Sequence, residues 1–217
     1  MCENQEIYNN WIRVTAPAIQ DIMCGVGHVS ANETYFINQY ARSMVLDVGC
    51  GTGNRTFPFW INRNIDFIGV EKYQNLINAS HSPEKVIMAD FSDSSFQDHL
   101  KPILDSLEIK PDIVFLFGGV VNGILCKDQQ HLAWSNFAFL LQYCSCILID
   151  TLTHFPWFED SDNGRVEQVY PSAPPQYFYS TREIERLNQL NNIQIVDERT
   201  EQLPYGISRT HYLLKRN

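Results

Sequence analysis

The feature that most constrains this chain is a short apolar run, Met44–Val48, that passes into Gly49, Cys50, Gly51, Thr52, Gly53 and Asn54, after which apolar residues recur at Phe57, Trp60 and Ile61. The order is strand, glycine turn, helix. A glycine-rich turn at that junction lets backbone amides approach a ligand with no side chain between, and the helix start adds unpaired donors. The same rhythm repeats downstream. Phe67–Val70 ends at Glu71 and leads to Leu76 and Ile77. Val86–Ala89 ends at Asp90, and Phe96, Leu100, Ile103, Leu104 and Leu107 follow at helical spacing. Ile113–Phe117 has no alternating polar face, as expected of a central strand covered on both sides. Residues 129–143 then carry a helical pattern before Cys146–Ile149 ends at Asp150.

Strands alternating with helices through short connections predict an α/β fold with right-handed crossovers and a doubly wound, mostly parallel sheet. The rhythm breaks over residues 151–179, which hold four prolines and seven Phe, Trp and Tyr residues. Loops longer than ~12–15 residues are usually functional or disordered, and so many aromatics argue against disorder. This insert reads as a substrate lid, or as a second small core or dimer surface. Helix 181–190, with Ser180 or Thr181 as N-cap, and strands at 193–196 and 209–215 complete one 217-residue domain. Residues 1–43, helical over about 7–22, are expected to form an N-terminal cap.

Composition narrows the function. Asp and Glu number 25 against 16 Lys and Arg, a formal charge of −9, which argues against nucleic acid as partner. No apolar run approaches the ~20 residues of a membrane span, and the acidic, polar start lacks the pattern of a secretory signal. A cytoplasmic protein is expected. Six cysteines without zinc or redox spacing read as reduced core thiols, and no metal site is expected.

Dinucleotides and S-adenosyl-L-methionine compete for such a turn. The glycines fall at 49, 51 and 53, Asn54 stands where a dinucleotide fingerprint has its third glycine, and no phosphate-loop lysine follows. Val45–Asn54 resembles the signature of the class I S-adenosylmethionine-dependent methyltransferases, and the resemblance extends in register to Glu71 and to Asp90-Phe91. It covers about residues 44–150, with 180–216 fitting the terminal helix and hairpin. It implies a Rossmann-like seven-stranded sheet with a reversed C-terminal hairpin. It also implies cofactor contacts from Asp47, Gly49, Cys50, Gly51, Gly53, Asn54, Glu71 with its neighbour Lys72, Asp90, Phe91, Phe117 and Gly118.

Glu71 is suited to accept both ribose hydroxyls bidentately. Asp90 suits the adenine amino group, and Phe91 either faces the ring or packs in the core. Asp47 either marks the site or only ties the turn together. Methyl transfer from a sulfonium mainly needs positioning, and where a base helps, His154 beyond the fifth strand and Tyr8 in the N-terminal helix are candidates, although a lone loop histidine such as His154 is more often a hydrogen-bonded bystander. Trp11, Asn122, Phe155, Trp157 and Tyr177 are candidate substrate contacts. Phe117-Gly118-Gly119-Val120 departs from the Asn/Asp-Pro-Pro-aromatic motif of DNA amino-methyltransferases, and no double-Glu loop of protein-arginine enzymes is visible. The expected reaction is methyl transfer to nitrogen or oxygen of a small molecule. The alternatives are a protein or peptide methyltransferase and a non-catalytic protein of the same fold.

Overall fold

A computed structural model of the chain describes residues 3–19, 29–154, 164–168, 174–203 and 206–217. Seven strands form one sheet: β1 (Met44–Val48), β2 (Asp66–Glu71), β3 (Val86–Met88), β4 (Ile113–Leu116), β5 (Cys146–His154), β8 (Ile193–Gln202) and β9 (Ser208–Arg216). Their spatial order is β3-β2-β1-β4-β5-β9-β8. The first five run parallel, and β9 is antiparallel to both β5 and β8. The Rossmann-like sheet with its reversed terminal hairpin is therefore as expected. The strand order reverses between β1 and β4, which opens a crevice at their carboxyl ends.

Two apolar layers follow from the period-two alternation of strand side chains. Leu46, Val48, Val114, Leu116, Ile147 and Ile149 face α5 (Phe96–Ser106), α6 (Lys127–Leu140) and α7 (Thr181–Leu190) through Leu100, Trp134 and Ile184. Val45, Phe115, Leu148 and Leu213 face α2 (Ala31–Tyr40) and α3 (Phe57–Asn62) through Phe36, Ile37 and Trp60. Trp60 stacks on Phe115 at 4.9 Å. Ser180 caps α7 by accepting from the Glu183 amide.

Four features refine or depart from the sequence expectations. Helix α1 (Glu3–Val14) is interrupted at residues 15–16 before residues 17–19 are again helical, and α2, closed by a Ser30–Glu33 capping box, buries Phe36 and Ile37 in the core layer. Strand β5 continues to His154 because β9 extends alongside it from Ser208. Within the insert, β6 (Arg165–Glu167) pairs with β7 (Gln176–Phe178), and Tyr177 and Tyr179 enter the main core, so these residues are not a plain loop. Cys126 is joined in a disulfide whose partner lies outside the described residues, against the expectation of six thiols, because a pairing made by the tertiary fold leaves no local spacing to read. Cys50, Cys144 and Cys146 are free. Among the described residues no helix is long and apolar enough to cross a membrane.

Candidate active site

The turn after β1 is fixed from both sides. The amides of Gly49 and Cys50 donate to the Val70 carbonyl at 2.7 and 3.2 Å, which seats the turn on β2. Gly53 has φ +75°, and a Cβ there would lie 2.3 Å from the Phe57 ring, so only glycine lets α3 start so close. Gly51, at φ +60°, is different: a Cβ would meet nothing within 4 Å, and its amide donates to Glu71 Oε2 at 2.9 Å. Behind the turn, Asp47 accepts from the Thr56 hydroxyl and from Trp60 Nε1. Burial pushes its carboxyl up while these two bonds pull it back. Asp47 thus ties β1 to α3, the structural role left open by the sequence.

In front of the turn is a cleft with about 1040 Å³ of space free of protein atoms, the open solvent at its mouth included. Glu71, at the end of β2, is buried on one side of it. Its Oε1 accepts from the amides of Lys72 at 2.8 Å and Tyr73 at 3.0 Å. A carboxylate has about four acceptor directions. The backbone takes three of them, leaving Oε2 as the oxygen for a ligand, whereas the sequence suggested a bidentate grip. Burial raises the Glu71 carboxyl, opposed by those three amides and by Lys72.

Asp90 follows β3, accepts from the amide and hydroxyl of Ser92 at 2.9 and 2.7 Å, and sits 3.4 Å from Lys72 Nζ. Phe91 does both things the sequence allowed, lying parallel to Phe137 at 5.9 Å while lining the cleft. Phe117 and Gly118 after β4 form the opposite wall, and Tyr8 and Ile12 of α1 the roof. Helix α1 is held there by Gln5, which donates to the Gly123 carbonyl and accepts from the Leu125 amide. Asn9 adds a bond from Tyr73 at 2.7 Å.

The structure therefore brings Tyr8, Asp47, Gly49, Cys50, Gly51, Glu71, Lys72, Asp90, Phe91, Phe117 and Gly118 around one cleft. Burial, with the Asp47 and Glu71 carboxylates, pushes the Cys50 thiol up, so it stays protonated. Gly53 and Asn54 do not line the cleft; they hydrogen-bond within the turn, the Gly53 amide to the Cys50 carbonyl at 2.9 Å and the Asn54 amide to the Thr52 hydroxyl at 3.2 Å. Three proposed substrate contacts do not themselves line the cleft. Trp11 packs beside Ile12, Tyr73 and Leu76. Asn122 is buried, donating to the Tyr177 carbonyl at 2.5 Å and accepting from the Leu152 amide at 3.2 Å. Tyr177 is buried with its hydroxyl on Glu183. Both tie the insert to the core because a hydrogen-bonding side chain buried there needs partners. The backbone of His154 ends β5, but its side chain, with Phe155 and Trp157, lies outside the described residues. The lining residues Thr52, Arg55 and Tyr73 escaped sequence reasoning. Arg55 directly follows the glycine signature, and that adjacency was the available signal.

Comparison with solved structures places this geometry. The chain superposes on a 1,6-didemethyltoxoflavin-N1-methyltransferase from Burkholderia thailandensis, solved with 1,6-didemethyltoxoflavin and S-adenosylhomocysteine. The TM-score is 0.68 at 13% identity, over 100% of this chain and 92% of that one. The fold is that of the S-adenosylmethionine-dependent methyltransferases. Magnesium protoporphyrin IX methyltransferase from Synechocystis with bound S-adenosylhomocysteine gives 0.62 at 12% identity, over 98% and 100% of the two chains. An S-adenosylmethionine-dependent methyltransferase from Clostridium acetobutylicum gives 0.58 at 14%, over 97% and 99%. No family model and no curated protein sequence matches the chain.

Proposed function

We propose that the protein binds S-adenosyl-L-methionine in the β1–β2–β4 cleft and transfers its methyl group to a nitrogen or oxygen atom of a small molecule. The observation that carries this reading is the combination of the open cradle at Gly51 with a buried carboxylate, Glu71, whose backbone bonds leave one oxygen for a ribose hydroxyl. The residues fit the group in other respects. Phe91 offers a flat face beside Asp90 for an adenine. The absence of any Cβ at Gly118 and Gly51 leaves room at both walls. When bound, the cofactor supplies a methyl group on a positively charged sulfur that is already a good leaving group.

The chain's own residues bind and orient. Glu71 grips the sugar, Asp90 and Phe91 the base, and the Phe117-Gly118 wall faces the methionine end. Tyr8 and Ile12, held down by Gln5 and Asn9, exclude water from above. A small acceptor is favoured by this roofed cleft, since a protein substrate needs an open groove. The bound ligands named for two of the matched structures agree in cofactor class. Titration calorimetry with S-adenosylhomocysteine tests the reading: saturable one-to-one binding supports it, and binding of a nicotinamide or flavin nucleotide in its place refutes it.

A further inference from the structure

Asp150, on β5, is fully buried and stands behind the cleft without lining it. Its carboxylate accepts from two successive amides of the segment after β4, Gly118 at 3.2 Å on Oδ2 and Gly119 at 3.1 Å on Oδ1. Successive amides that converge on one anion form a small concavity for it. In an extended strand neighbouring peptide groups point opposite ways, so the chain has to turn here, and Gly118 and Gly119 do so at φ +78° and +76°. A Cβ on either would come no closer than 3.7 Å to any residue beyond its chain neighbours. Backbone conformation, and not lack of room, calls for glycine at both positions.

The same two bonds fix what faces the other way. A peptide unit is planar and trans, with no cis bond among the described residues, so its carbonyl points opposite to its N–H. The Gly118 amide shares a unit with the Phe117 carbonyl, and the Gly119 amide with the Gly118 carbonyl. With both amides drawn toward β5, both carbonyls are turned away from it. Strand β4 lies between β5 and β1, so the side away from β5 is the crevice beside β1, which Phe117 and Gly118 line. No described residue donates a hydrogen bond to either carbonyl. The first glycine turn packs against the same segment, since a Cβ on Gly49 would lie 2.6 Å from Val120. Asp150 is anchored from behind. Arg209 is 3.4 Å from it and 3.7 Å from Glu201. The register sets Asp150 opposite His211 on β9 and His211 opposite Arg199 on β8, and one side-chain atom each of Glu33, Asp150 and His211 lies within 4.8 Å of the others. Glu33 in turn accepts from Arg55 Nη2 at 2.6 and 2.8 Å. Buried charges are tolerated when they are paired in this way.

We propose that Asp150 is a positioning residue: by gripping the Gly118 and Gly119 amides it presents the Phe117 and Gly118 carbonyls to the ammonium group at the methionine end of S-adenosylmethionine. The proposal rests on the methyl-transfer reading above. It makes Asp150, which the cofactor never touches, a determinant of cofactor affinity. An ammonium has donors and no acceptor, which matches a pair of neighbouring carbonyl oxygens. A carboxylate bonded to the far side of the same peptide units polarises them and strengthens those oxygens as acceptors.

The test compares S-adenosylhomocysteine with its deamino analogue, in which hydrogen replaces the amino group, by calorimetry on the wild type and on Asp150→Asn. The wild type should bind the deamino analogue about 10- to 150-fold more weakly, as for loss of a hydrogen bond to a charged group. Asp150→Asn leaves one acceptor oxygen for the two amides. Its affinity for S-adenosylhomocysteine should fall about tenfold while that for the deamino analogue stays within about twofold. A merely structural role would weaken both ligands alike. Independently of whether the variant folds, the carbonyl ¹³C resonances of Phe117 and Gly118 in the wild type should differ between the complexes with the two ligands. The proposal is overturned by equal weakening of both ligands in Asp150→Asn, by unchanged affinity for both, by a wild type that does not distinguish them, or by carbonyl resonances identical in the two complexes. Failure of the wild type to bind S-adenosylhomocysteine overturns the methyl-transfer reading instead.

Discussion

Replacing Glu71 separates two jobs that the structure gives one carboxylate. Its Oε1 satisfies the Lys72 and Tyr73 amides, and its Oε2 holds the Gly51 amide and keeps one direction for a ligand. A hydrogen bond to an ionised group is worth ~1.5–3 kcal/mol, so Glu71→Ala should weaken S-adenosylhomocysteine binding about 10- to 150-fold. The same change strands three amides at ~1–3 kcal/mol each, ~3–9 kcal/mol together, which in a chain of this length lowers Tm by at least roughly 6 °C. Glu71→Gln should keep Oε1 for the Lys72 and Tyr73 amides while turning an NH₂ toward Gly51, so affinity falls comparably and Tm much less. Calorimetry with S-adenosylhomocysteine and its 2′-deoxy and 3′-deoxy analogues closes the cycle. At least one analogue should bind the wild type more weakly yet bind Glu71→Gln about as well as the parent does. If both analogues bind the wild type as tightly as the parent, or Glu71→Ala binds unchanged, the carboxylate does not meet the sugar and the assignment fails.

Other residues give independent checks. Gly53→Ala drives a Cβ into the Phe57 ring at a positive φ, and overpacking of ~1–3 kcal/mol plus the left-handed penalty should appear as a lower urea midpoint. An unchanged midpoint contradicts the account of the turn. Asn122→Ala removes two buried hydrogen bonds and should destabilise the fold by ~1–3 kcal/mol without altering cofactor affinity; a selective loss of ligand binding would return Asn122 to the site. Burial raises the Glu33 carboxyl, but His211, Arg55 and the Ser30 amide outweigh it and hold it at about 2, against 4.5 for an ordinary glutamate. Its folded-state value is the lower one, so its stabilisation is present above pH 4.5 and is lost as pH falls toward 2, about 3 kcal/mol in all. Glu33→Gln should flatten acid unfolding in that window, and an identical acid profile would show that Glu33 is not so held.

The sheet and the cofactor side of the cleft were legible because their signals are local. Fully apolar strands end on Asp47-Val48-Gly49, Glu71 and Asp90, and the glycines recur at fixed spacing. What escaped is carried by contacts distant in sequence. Helix α2 is mostly polar, so its apolar pattern is weak, although Ser30 and Glu33 have the spacing of a capping box. Strand β5 runs on through Thr151, Thr153 and His154, and β8 through charged residues to Gln202, because β9 pairs with both. Their polar alternation resembles a loop until the partner strand is known. For the same reason the row Asp150, His211, Arg199 has no signature along the chain. Of the aromatics of 151–179, Tyr177 and Tyr179 extend the core beside Trp134, a contact that no spacing along the chain announces and that left lid and small core as open alternatives.

The most direct measurement is a crystal structure of the protein grown with S-adenosylhomocysteine. The account places a ribose hydroxyl within hydrogen-bond distance of Glu71 Oε2, the adenine between Phe91 and the α1 roof, and the homocysteine end along Gly49 and Phe117-Gly118. Density for the nucleoside anywhere else, or a ribose turned away from Glu71 toward solvent, would contradict it.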